Sequence, residues 1–268
     1  MPVRKIHSLG VIGLALCVEG AVAAAPFDAF NGRWRTDLSS LKFSTVPETV
    51  SLKDGIYDCR SCDPPYSLKA DGDFHTVAGY PSLDERRVKI IDSRTVRIFD
   101  RKAGRITHRV EIKVSRDGRR RTVSWADFYG PGTVEISGRT LQIRVAAGAR
   151  GAHGASGSWR SVALLRATGA ARTETLDVRA GILAMSRATG ESYRARIDGD
   201  PTPYIGDPAI DEVRLKSAGP RAIIEQHIYR GVVTSTLTMR LSADGKALLM
   251  RAENPKTGRN SSARATKL

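Results

Sequence analysis

The sequence predicts an all-β protein made of two copies of one antiparallel domain, with little helix. Two observations carry that expectation. Residues 66–118 recur without a gap as residues 193–245, at a constant offset of 127: Tyr66, Asp71-Gly72-Asp73, Gly79, Pro81, Asp84-Glu85, Arg87, Lys89, Arg94, Gly104, Thr107, Ser115 and Asp117-Gly118 return as Tyr193, Asp198-Gly199-Asp200, Gly206, Pro208, Asp211-Glu212, Arg214, Lys216, Arg221, Gly231, Thr234, Ser242 and Asp244-Gly245. Chance would supply about three identities in such a window. Apolar and polar residues also alternate with period two between turn dipeptides. Examples are Arg109-Val110-Glu111-Ile112-Lys113-Val114 before Asp117-Gly118, and Thr236-Leu237-Thr238-Met239-Arg240-Leu241 before Asp244-Gly245. That is the pattern of hairpins with one wet face. The repeat is too long for a solenoid unit or propeller blade, so each copy needs its own core.

The elements follow in chain order. Arg4 and Lys5 precede an apolar run from Leu9 to Val18 and the small stretch Ala21-Val22-Ala23-Ala24-Ala25, the three parts of a secretory signal. The run is shorter than the ~20 residues of a membrane span, and Glu19 interrupts its end. Residues 1–24 are therefore expected to be cleaved, placing the mature protein in the periplasm or outside the cell. Cys17 follows Leu16, where a lipidation signal needs a small residue. No later segment is long and apolar enough for a transmembrane helix. The first copy is expected over 25–147, with turns at Asp54-Gly55, Asp71-Gly72, Ala103-Gly104, Asp117-Gly118 and Ser137-Gly138. Gly148-Ala149-Arg150-Gly151-Ala152-His153-Gly154-Ala155 is small and flexible, so 148–154 reads as a linker. The second copy then fills 155–268.

Each copy opens alike, with Asn31-Gly32-Arg33-Trp34 in the first and Ser156-Gly157-Ser158-Trp159 in the second. This Gly-x-Trp opening resembles that of the calycin group: lipocalins, fatty-acid-binding proteins and avidins. The resemblance implies two tandem, eight-stranded, up-and-down lipocalin-like barrels, each of a size for one core. It also implies a tryptophan packed across one barrel end beneath a basic side chain of the last strand. Arg144 is expected on Trp34, and Lys267 or Arg264 on Trp159. The Cys-x-Ser-Cys-Asp-Pro-Pro segment and the later Gly-Ser-Trp-Arg also resemble a group of secreted bacterial proteins, which implies export and a duplicated barrel but no reaction.

The formal net charge is +15, and removing Arg4, Lys5 and Glu19 with the signal leaves about +14. Basic residues concentrate between Arg86 and Arg121. Such a surface attracts polyanions without choosing among them, so anionic envelope polymers and lipid headgroups are candidate partners. The alternation there equally describes one wet strand face. No aromatic-rich RNA motif is present, and a nucleic-acid partner is not expected of an exported chain.

Cys59-Arg60-Ser61-Cys62 is the one constellation that could carry chemistry alone. A thiol oxidoreductase needs the first sulfur at a helix N-terminus. Here Asp63-Pro64-Pro65 and the alternating Tyr66-Ser67-Leu68-Lys69 follow instead. At the constant offset the two cysteines fall on Ser186 and Thr189, so a disulfide stapling a hairpin loop is expected. His7, His75, His108, His153 and His227 have no counterparts in the other copy, and no metal-ligand spacing, nucleophile elbow or phosphate loop occurs. No cofactor or metal is expected. Asp71-Gly72-Asp73 and Asp84-Glu85 sit at strand ends, where Asp bonds turn backbone. The function expected is non-enzymatic binding of one small apolar or amphipathic ligand per barrel. The alternative is an envelope interaction protein with solid barrels and a basic surface, and the third reading is an oxidoreductase using Cys59 and Cys62.

Overall fold

A computed structural model describes residues 27–128 and 135–268; the expected signal segment lies outside them. Twenty strands run in chain order: β1 Gly32–Lys42, β2 Glu48–Lys53, β3 Ile56–Cys59, β4 Tyr66–Lys69, β5 Asp71–Thr76, β6 Glu85–Asp92, β7 Thr95–Lys102, β8 Arg105–Val114, β9 Arg120–Asp127, β10 Ile136–Ala147, β11 Gly157–Ala167, β12 Thr173–Arg179, β13 Ile182–Arg187, β14 Ser192–Arg196, β15 Thr202–Pro203, β16 Glu212–Ser217, β17 Ala222–Tyr229, β18 Val232–Leu241, β19 Ala247–Glu253 and β20 Asn260–Lys267. Only two single 3₁₀ turns, Asp28–Phe30 and Ala170–Arg172, interrupt them among the described residues. The strands form two antiparallel, nearly closed barrels of ten strands each, two more than the resemblance implied.

The barrels do not follow the expected 25–147 and 155–268 division. The first has the order β4-β3-β2-β11-β10-β9-β8-β7-β6-β5, and the second β14-β13-β12-β1-β20-β19-β18-β17-β16-β15. Each copy's opening strand therefore closes the other copy's barrel. β1 pairs with β12 (Gly32 opposite Leu176) and β20 (Trp34 opposite Lys267), while β11 pairs with β10 (Arg144 opposite Trp159) and β2 (Trp159 opposite Glu48). Loop entropy does not account for the choice, since β11 reaches β12 through 168–172 and β10 only through the longer 148–156. Instead β10 and β11 gain a long ladder, paired from Ala147 opposite Gly157 to Gly138 opposite Ala167. That fills the edge of β2 and leaves β1 for β12. Residues 148–154 thus connect strands of one barrel, and the true links between barrels are 43–47 and 168–172.

The duplicated residues occupy duplicated roles. Ser115 Oγ donates to Asp117 (2.5 Å) as Ser242 Oγ does to Asp244 (2.6 Å). Asp84 accepts the Ala103 amide (2.9 Å) as Asp211 accepts that of Arg230 (2.7 Å), each capping a turn residue with positive φ. These carboxylates serve turns. Two expected turns are absent: Asp71-Gly72 opens β5 at a register shift, and Gly138 lies inside β10 with the Trp125 ring against it.

Each barrel has its own core. Val50, Leu52, Tyr57, Val88, Ile112 and Trp159 belong to the first, and Phe30, Trp34, Leu183, Val213, Leu215 and Leu248 to the second.

Candidate functional site

The two tryptophans set the closed ends. Both are fully buried, and each indole donates to a carbonyl four residues back: Trp34 to Phe30 (2.8 Å), Trp159 to Ala155 (2.9 Å). A cation from the last strand covers each ring, with partners set by the strand exchange. Lys267 Nζ lies 5.2 Å from the centre of Trp34, and the Arg144 guanidinium 4.1 Å from that of Trp159. The pairings expected from sequence order are thereby reversed, and Arg264 is exposed in β20, away from either ring. Arg144 also donates to Gly118, Ser156 and Gly154 carbonyls at 2.6 to 2.7 Å. The glycine of each motif is needed for this approach. Gly157 has φ +118° and a Cβ there would overlap the Ala146 carbonyl, while Gly32 has φ +139° and faces the Lys267 chain. Opposite each tryptophan stands a glutamate, Glu48 or Glu174, itself paired with an arginine, Arg121 (2.7 Å) or Arg187 (2.9 Å).

The first barrel keeps a cavity of about 280 Å³ in its lumen. Its walls are apolar, with Ile98, Val110, Ile112, Val123 and Trp125. Its polar lining is Glu48, Tyr57, Tyr66, Arg86 and His108, with Cys62 at the side. Strand alternation puts them there. Arg86 shares a face with Val88, and Arg121 with Val123 and Trp125, so two arginines of the basic segment point inward. Both are paired. Arg86 donates to Asp100 at 2.5 and 2.6 Å and to the Tyr66 hydroxyl, and Arg121, with no exposed side-chain surface, donates to Glu48 and to Gln142 (2.5 Å). His108 stands between Asp100 (3.3 Å) and Asp127 (3.4 Å). Burial works to raise the Asp100 pKa, but the hydrogen bonds from Arg86 and His108 outweigh it and hold the carboxyl below its usual range. Burial pushes the Tyr66 hydroxyl up to about 12 and Tyr57 well above its ordinary value, so both remain protonated donors at neutral pH. Tyr57 is 2% exposed, stacks on Tyr66 and lines the cavity.

The second barrel rebuilds this cluster with different residues at the same two cross-strand positions. Asp100 pairs across the ladder with His108, and their counterparts are His227 and Ser235 (2.9 Å). Here the acid comes from Glu225, which bonds His227 (2.6 Å) and Tyr193 (2.7 Å) and is held below its usual pKa by those bonds against its burial. The histidines thus have no partner in the repeat as sequence but share one polar cluster as structure. Leu237, Met250 and Ala252 replace Val110, Val123 and Trp125, and the mouth of this barrel holds a space of about 230 Å³.

Cys59 and Cys62 form a disulfide in the hairpin loop between β3 and β4. In register Cys59 matches buried Met185, since each pairs with the strand holding Tyr66 or Tyr193; the constant offset slips by one residue here. No helix N-terminus stands beside the pair among the described residues. His75 bonds Asp71 (2.8 Å), His153 contacts the Asp92 carbonyl (2.6 Å), and His7 lies outside the described residues. No group of three His, Cys, Asp or Glu side chains suited to a metal occurs among the described residues, and none of their helices is long and apolar enough to cross a membrane.

No protein-family description, curated protein or solved structure matches this chain.

Proposed function

We propose that this is an exported, non-enzymatic binding protein whose first barrel holds a small, electrically neutral amphiphile. The observation that carries the reading is the lumen cavity of about 280 Å³, walled by Ile98, Val110, Ile112, Val123 and Trp125 with Tyr57 on its lining. A hydrogen bond from the Tyr57 hydroxyl to a ligand oxygen would contribute about 1 kcal/mol. Neutrality follows from the charges. Arg86 is committed to Asp100 and Arg121 to Glu48, so an anionic head would meet no free cation and would stand near three carboxylates. The apolar walls then take a short hydrocarbon chain.

Octanol and octanoate titrated against the mature protein, read by Trp125 fluorescence and calorimetry, test this. Octanol should bind, octanoate at least about tenfold more weakly, and Tyr57→Phe should weaken octanol about fivefold, one hydrogen bond's worth. Absence of octanol binding, or preference for octanoate, would refute it. A second reading has one observation in its favour: the outer face of the first barrel exposes Lys89, Arg94, Arg109 and Lys113. Anionic envelope polymers or lipid headgroups binding there would be lost with rising salt and would leave the lumen empty.

A further inference from the structure

We infer that the two barrels bind one elongated ligand together, with its neutral polar end in the first lumen and its hydrocarbon chain running into the mouth of the second. The inference rests on the reading of the first lumen above. Its basis is a chain of three adjoining spaces that share lining residues. Glu48 lines both the first lumen and a chamber of about 380 Å³ between the barrels, and Ala252 and Ser261 line both that chamber and the mouth of the second barrel.

The strand exchange creates this arrangement. The crossing segment 43–47 supplies Phe43 and Val46 to the chamber, beside Trp159 of the first barrel and Ala252 of the second. Cross-contacts hold the mouths together: Lys256 Nζ donates to Asp63 at 2.6 Å, and Arg259 to the Pro47 carbonyl at 3.4 Å.

The two ends of the path differ. At one end the hydroxyl-bearing Tyr57 and Tyr66 line the first lumen. Beyond the chamber the lining includes Leu41, Leu237, Met250 and Ala263, with Arg187 bound to Glu174 and Arg172 to the Thr36 carbonyl (3.3 Å). A molecule with one polar end and a long chain matches that order, whereas two short ligands would leave the chamber unused. The difference between the barrels has the same sense. Where the first barrel has Trp125 against the small Gly138, the second has Ala252, and that substitution keeps its mouth open toward the chamber.

The test compares oleyl alcohol with octanol on the full mature chain by native mass spectrometry and competition titration. One oleyl alcohol per protein is expected, displaced by octanol. Ala252→Trp, and independently Val46→Arg at an exposed chamber position, should lower oleyl alcohol affinity relative to octanol by at least about tenfold, the loss of roughly two buried methylenes. Because Val46 is surface-exposed, Val46→Arg is informative even if Ala252→Trp does not fold. Two oleyl alcohols per chain, or an unchanged ratio in Val46→Arg, overturns the shared path while octanol binding keeps the first-lumen reading intact. Failure of both alcohols to bind overturns the two together.

Discussion

Replacing Trp34 by Ala should destabilise the second barrel, although Trp34 belongs to the first copy of the repeat. The ring is fully buried in the second core, so its loss opens a cavity costing about 3–5 kcal/mol. Lys267, 5.2 Å from the ring centre, loses a cation–π contact of about 0.5–1 kcal/mol. The Phe30 carbonyl also loses its donor at 2.8 Å. A total near 4–5 kcal/mol is a large share of a domain's stability of about 5–15 kcal/mol. Native-state hydrogen exchange reads where the loss falls. Amides of β12 to β20 should exchange about a thousandfold faster or more at this cost, while those of β2 to β11 keep their protection. Trp159→Ala should do the reverse. Trp34→Ala exposing residues 48–147 and sparing 173–267 would refute the exchanged strands.

Gly157→Ala should be more damaging than Gly32→Ala in urea unfolding. Both carry positive φ strain of about 1–3 kcal/mol, but the Gly157 Cβ strikes backbone at Ala146 and the Gly32 Cβ meets only the flexible Lys267 chain; equal midpoints would contradict this. Converting Cys59 and Cys62 together to Ala should preserve the fold and cost about 2 kcal/mol for a loop of about four residues, plus a small packing term at buried Cys59. Failure of the double variant to fold would show that the staple is essential. Asp100 is held below its usual pKa by Arg86 and His108, so the stability it contributes is present above about pH 4 and lost as pH falls through its folded value. Asp100→Asn should therefore melt lower at pH 7 and lose less stability on acidification; an acid limb identical to the parent's would contradict the assignment.

Fold class and duplication were legible because they depend on local rules. Period two marks the strands, Asp-Gly marks the turns, and the repeat doubles both. The barrel division was not legible. Gly32-Arg33-Trp34 and Gly157-Ser158-Trp159 repeat one motif, and the shorter connections 43–47 and 168–172 favour the division that the structure does not adopt. Part of the lumen is readable in the sequence. Arg86 stands two residues before Val88, and Arg121 two before Val123, so alternation already aimed both inward within a segment that otherwise reads as a wet basic face. The polar cluster of the second barrel was hidden for another reason. Its acid moved to Glu225 and its histidine to the position of Asp100, so the function of the cluster repeats while its letters do not. Tyr66 and Tyr193, identical in the repeat, were the one sequence signal common to both.

The most direct measurement is native mass spectrometry of the protein purified, without detergent, from the cells that make it. The mature chain should carry one neutral amphiphile, released on unfolding and diminished in Tyr57→Phe. A mass equal to the bare chain, or a retained anionic polymer unaffected by Tyr57→Phe and released by salt, would contradict it.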